Sequence, residues 1–144
     1  MKTDIKTTKM KIQTTLLSLL ILMVIGCSKE KQIVIENNWQ VESIKVHADS
    51  ALQYPAQGKI YTLTFEDKKS YVKKLDVNKC SGKVKFKSNN SIDFTDTGCT
   101  EICCDSDFAT NIVYILIDVE KYQLTDTTLI LTTNSNKIIN LKEI

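Results

Sequence analysis

Cysteines carry most of the chemistry on offer in this 144-residue sequence. Cys80, Cys99, Cys103 and Cys104 fall in one short stretch, and Cys27 stands apart. Four clustered thiols permit three chemistries: two disulfides, a tetrahedral Zn²⁺ site, or an exchangeable redox pair. Cys-x3-Cys-Cys is not a usual zinc spacing, so no metal and no cofactor is expected. Of the three disulfide pairings, the one that joins Cys103 to Cys104 is strained and the least favoured. A helix starting just after Cys104 would lower the pKa of that thiol, or of Cys103, if either were free.

The other candidates are weaker. His47 is the sole histidine, with no triad beside it. Asp93, Asp96, Glu101, Asp105 and Asp107 surround the cysteines but lack the order of a calcium loop, and read as a solvated rim. Lys83, Lys85 and Lys87 alternate on one strand face, which suits solubility and edge protection better than anionic lipid. All 19 basic residues are Lys. Without the planar Arg fork, nucleic acid is not an expected partner. No Gly-rich phosphate loop is present either. No catalysis is expected.

Cys27 has a different setting. Lys2, Lys6, Lys9 and Lys11 precede an apolar run from Leu16 to Ile25. The run is about ten residues, short of the ~20 that span a bilayer, and fits the core of an export signal. Val24-Ile25-Gly26-Cys27 then resembles the bacterial lipobox. Small Gly26 gives the signal peptidase access, and the Cys27 thiol takes a diacylglyceryl thioether. Residues 1–26 therefore read as a lipoprotein signal peptide and 27–37 as a lipidated tether. The expected address is the bacterial cell envelope, at the outer membrane, with Cys27 as the membrane anchor. The leader holds four of the 19 lysines and one of the 17 acids, so the mature part is near neutral despite the net charge of +2.

Residues 38–144 are enough for one core. Apolar residues alternate at period two through 39–46, 61–65, 70–77, 83–87 and 92–94, with a slip of face near Ser43. Residues 47–58 contain Asp49, Pro55 and Gly58 and read as a loop. The period then changes. Phe108, Ile112, Ile115, Leu116 and Val119 lie on one face of a helix over 106–119, capped by Asp105 or Ser106. Strands at 122–124, 128–131 and 137–141 follow. The expected fold is α+β: a curved antiparallel sheet, a partly open barrel, with one amphipathic helix before the last three strands.

Particular residues add a resemblance. Trp39-Gln40-Val41 is similar to the W-x-L opening of the META domain, also called HslJ-like. Tyr61-Thr62-Leu63-Thr64-Phe65 resembles its L-x-F strand. Asn78-Lys79-Cys80-Ser81-Gly82 resembles its Cys-Asn…Gly segment, with Asn before Cys rather than after. Thr100-Glu101-Ile102-Cys103-Cys104 resembles its T-x-M-A-C segment, and Tyr122-Gln123-Leu124 with Leu129-Ile130-Leu131 its late strands. Cys99 and Cys103 are additional to that pattern. The resemblance spans roughly 38–143. It implies a Cys80–Cys104 disulfide, leaving Cys99–Cys103, worth roughly 3.5 and about 2 kcal/mol of chain entropy. It also implies a non-catalytic envelope lipoprotein that binds a protein partner or supports envelope stress tolerance. The alternative is a carrier of a small apolar ligand, which needs an open cavity lined by Tyr61, Leu63, Phe65, Phe86 and Phe94.

Mass spectrometry of the native protein should find residues 28–144 attached to an acylated Cys27. An unmodified N-terminus elsewhere, in membrane-free material, would refute the anchor.

Overall fold

The computed structural model describes residues 35–144. The expected signal peptide, Cys27 and the expected tether as far as residue 34 lie outside the described residues. The elements run β1 (Asn38–Lys45), β2 (Thr62–Glu66), β3 (Ser70–Lys74), β4 (Lys79–Lys87), β5 (Ser91–Cys99), α1 (Asp107–Ile117), β6 (Val119–Leu124), β7 (Thr128–Thr133) and β8 (Ile138–Glu143). The helix precedes the last three strands, as its sequence pattern requires.

Each strand pairs antiparallel with the next, and β8 returns to β1. The expected partly open barrel is therefore a ring, with one narrow seam. At that seam β5 and β6 share a single register pair, Ser91 with Lys121. It is reinforced by Tyr122 N–H on Asn90 O (2.9 Å) and Ser91 Oγ on Glu120 O (3.0 Å). The remainder of β5 runs past the start of β6, and α1 packs against it.

Three irregularities interrupt the pairing, at β1–β8, β4–β5 and β6–β7, and the first two bear on the buried face and the cysteines. The slip near Ser43 is a bulge between Val41 and Ser43. It turns Val41, Ser43 and Ile44 all into buried positions, and Ser43 Oγ accepts from Asn140 Nδ2 at 2.9 Å. The second bulge lies between Ser81 and Lys83. A Cβ on Gly82 would come within 2.6 Å of Thr95 O and 2.8 Å of the Tyr71 hydroxyl, so only glycine fits there.

Inward positions fill the barrel. Tyr61, Leu63 and Phe65 share a buried face as their alternation demands, and Ile92, Phe94, Leu129, Leu131, Ile139 and Leu141 meet them. Phe65 packs on Phe86 and Phe94 at ring separations of 5.6 and 6.2 Å, and Phe94 takes the edge of Tyr71 at 5.1 Å. Outward positions Lys83, Lys85 and Lys87 are exposed.

The helix is shorter than its apolar stripe. Ser106 is the N-cap, and its Oγ accepts from Ala109 N–H at 3.3 Å. Asp118 is the C-cap, and its side chain pairs with Lys137 Nζ at 3.0 Å. Val119, expected on the helix, is instead the first residue of β6 and is buried there. Phe108 is only half-buried and leans on Tyr61, with rings 5.2 Å apart. Ile112, Ile115 and Leu116 are buried, and Ile112 and Leu116 face Val41, Leu63, Ile139 and Leu141 inside the barrel. The helix thus plugs the barrel.

Leu116 is 1% exposed at the tip of this plug. Leu116→Ala should cost on the order of 2–5 kcal/mol in urea unfolding. A near-zero loss would mean that the plug does not bear on the core.

Candidate functional site

The cysteines come first, because their pairing departs from expectation. The structure joins Cys80 to Cys99 and Cys103 to Cys104. The Cys80–Cys104 and Cys99–Cys103 bonds that the resemblance implied are not made. The reason is strand register. With the bulge at Gly82 absorbed, Cys99 stands directly across from Cys80, 4.0 Å away between Cα atoms. Cys80 is fully buried and committed to that neighbour, so only the adjacent pair is left. The Cys80–Cys99 bond closes a separation of 19 residues, worth about 3 kcal/mol of chain entropy.

The segment after Cys99 is held by a polar clasp. Asn78, in the β3–β4 turn, is its hub. Its Oδ1 accepts from Thr100 Oγ1 (2.8 Å) and Ile102 N–H (2.9 Å), while its Nδ2 donates to Ile102 O (2.6 Å) and Asp105 Oδ2 (2.7 Å). Asp105 Oδ1 accepts from Val77 N–H at 3.0 Å and Asn78 N–H at 3.3 Å. Asp76 completes the clasp. It accepts from Ser106 Oγ (2.5 Å), Ser106 N–H (3.0 Å) and Tyr61 Oη (3.0 Å), and pairs with Lys59 Nζ (2.9 Å).

These contacts set the charges. The Ser106 hydroxyl holds the Asp76 carboxyl well below the usual carboxylate range; burial opposes this, while Ser106 N–H, Lys59 and Tyr61 reinforce it. Burial opposes ionisation of Asp105, but donors from Val77 and Asn78 outweigh it, and that carboxyl is also lowered. Burial raises the Tyr61 phenol, partly offset by Ser106. Every partner here is a group of the protein itself. The arrangement is suited to fixing a loop and a helix start.

The remaining sequence candidates are scattered. His47 is exposed in the β1–β2 loop, where its backbone exchanges hydrogen bonds with Ser50 Oγ. Asp96 pairs with Lys83 at 2.8 Å, and Asp93 pairs with Lys87, so cross-strand acids offset the lysine stripe. Glu101 is exposed, and Asp107 lies in the first turn of α1. Among the described residues, no group of three or more His, Cys, Asp or Glu side chains is placed to hold a metal ion.

Sequence reasoning missed Lys73. It is 1% exposed, and its Nζ is the one buried side-chain nitrogen or oxygen without a hydrogen-bond partner among the described residues. Its register neighbours are Leu63 and Cys80. It borders a void of about 10 Å³ walled by Val41, Leu63, Leu75, Ile112 and Leu116. Burial pulls its amine down to about 8. The signal was available: Tyr71, Lys73 and Leu75 alternate on one face of the strand. Asp76 and Asn78 gave no such signal, because their partners lie on other elements, from 15 to 30 residues away in sequence.

Comparison with known proteins bears on the fold. A family model described as the META domain matches residues 31–143. A protein from Burkholderia xenovorans, solved by NMR, superposes with a TM-score of 0.62 at 16% identity, covering 76% of this chain and 82% of that one. A DUF4847 family protein from Bacteroides vulgatus ATCC 8482 superposes with a TM-score of 0.59 at 12% identity, covering 78% of this chain and 95% of that one. No curated protein matches significantly.

Lys73 generates a pH prediction. Its folded value of about 8 lies below its ordinary 10.5. Below pH 8 both folded and unfolded chains hold the proton, and the folded state bears the full cost of a buried charge. Between 8 and 10.5 the unfolded chain binds more protons, so this group makes stability rise with pH. Lys73→Met should therefore stabilise the protein at pH 7, by up to about 3 kcal/mol, with the gain shrinking towards pH 10.5. Urea midpoints of both proteins at pH 7 and 10 check this; a variant less stable at pH 7 would overturn it.

Proposed function

Because the chain belongs to the META domain family, we propose that it is a non-catalytic lipoprotein of the bacterial cell envelope that works by binding another envelope protein. The observation that carries this reading is the filled barrel. The aromatic and aliphatic side chains that would have lined a ligand cavity pack on one another, and the void between the helix and the barrel wall beside Lys73 is about 10 Å³, room for one water. Nothing in that interior favours a carrier of small apolar ligands. The polar groups of the clasp are spent on each other. What is left for recognition is the outer surface, where Tyr54, Ile102 and Tyr114 are each more than half exposed.

An acylated Cys27 would keep this surface near the bilayer. Ile35 is already buried in the domain, so a tether from Cys27 would reach at most roughly 28 Å when extended. Two or three acyl chains make such anchoring stable, whereas one is marginal. Confinement raises the local concentration of any neighbouring envelope protein, so a modest surface can suffice.

Photoreactive residues at positions 54, 102 and 114, introduced one at a time in intact cells, should give a discrete adduct with an envelope protein. Excess soluble 28–144 fragment should compete it away. Blank crosslinks at all three positions, together with a turnover that disappears in His47→Ala, would place the protein among enzymes instead.

A further inference from the structure

The two disulfides differ in what they can do for the fold. Cys80–Cys99 ties two strands across 19 residues, and Cys80 is fully buried. Cys103–Cys104 joins neighbours in sequence. A loop of that length removes almost no freedom from the unfolded chain, so stapling does not account for it. Both of its residues are exposed, and Cys104 sits at φ +87°, in the left-handed region that non-glycine residues rarely adopt. The residues on either side are fixed. Ile102 and Asp105 are both bound to Asn78, and Ser106 is bound to Asp76. A two-residue step is thereby presented on a rigid frame with both cysteines open to solvent, where an incoming thiolate can approach.

We propose that Cys103–Cys104 is a reversible dithiol–disulfide centre that exchanges electrons with a protein dithiol of the envelope, while Cys80–Cys99 is permanent. In the reducing direction a partner thiolate attacks one sulfur of the pair. The Cys103–Cys104 bond breaks, a mixed disulfide forms, and the released thiolate takes up a proton. The second thiol of the partner then displaces the other cysteine as thiolate, which is also protonated. Two electrons and two protons enter the pair, and the partner leaves as its own disulfide. Reduction frees Cys104 to leave its left-handed conformation, while the clasp keeps both ends of the step in place.

The test uses the soluble 28–144 chain in dithiothreitol redox buffers, with acid quenching, thiol alkylation and peptide mapping. Cys103 and Cys104 should be alkylated at roughly a tenth or less of the reduced dithiothreitol that opens Cys80–Cys99. The thermal midpoint of the selectively reduced protein should stay with that of the oxidised protein. Cys103→Ser leaves a single thiol at Cys104; once that thiol is converted to its mixed disulfide with 2-nitro-5-thiobenzoate, attack by a thioredoxin lacking its resolving cysteine should release one equivalent of thionitrobenzoate and leave a persistent protein–protein mixed disulfide. Co-reduction of both bonds, a mapped Cys80–Cys104 bond, or loss of folding on reducing Cys103–Cys104 alone would each overturn the proposal. So would a thionitrobenzoate-charged Cys104 that yields no mixed disulfide with the thioredoxin in a folded Cys103→Ser chain.

Discussion

Asp76 is the residue on which the architecture depends. One carboxylate receives the Tyr61 hydroxyl, the Ser106 hydroxyl, the Ser106 amide and the Lys59 ammonium. Ser106 is also the N-cap of α1, so the same contact fixes where the helix begins. From that start, the helical period carries Ile112 and Leu116 to the barrel interior and Ile115 to a buried position beside them. A helix begun one residue later would rotate its stripe by about a quarter turn and leave the barrel unplugged. The clasp around Asn78 does the same for the cysteine segment. A turn between two strands thus sets both the plug and the loop that precedes it.

Burial is unevenly rewarded inside this barrel. The aromatic cluster and the aliphatic layer are close-packed, and the tyrosines that enter it keep their hydroxyls satisfied, Tyr61 on Asp76 and Tyr71 on Thr97. Lys73 is the exception, since its amine ends among aliphatic walls. The cost falls on a domain whose net stability is expected to be only about 5–15 kcal/mol. The Cys80–Cys99 bond, next to Lys73 in register, offsets a cost of the same order. Outside the barrel, charges are arranged with less at stake. Lys83 and Lys87 meet Asp96 and Asp93 across the strand pair, which leaves little positive field for an anionic surface.

Much of this was legible in the residues. Strict alternation at Tyr61, Leu63 and Phe65 and the helical spacing of Ile112, Ile115 and Leu116 sufficed for strands, helix and the faces they bury, because those periods are local geometry. The slip of face near Ser43 was visible as the apolar positions passing from Trp39 and Val41 to Ile44 and Val46. The resemblance of Val24-Ile25-Gly26-Cys27 to a lipobox and the order of the META-like segments were also matters of sequence alone. Tertiary structure decided the rest. Whether Asp105 or Ser106 capped the helix depended on the β3–β4 turn: Val77 and Asn78 occupy both Asp105 carboxylate oxygens, which leaves Ser106 Oγ to accept from Ala109 N–H. Which cysteines paired depended on strand register, itself shifted by a bulge that only Gly82 permits. Val119 left the helix because β7 offered its backbone a partner in Thr133. In each case the local signal was satisfied equally by two neighbours, and a contact distant in sequence chose between them.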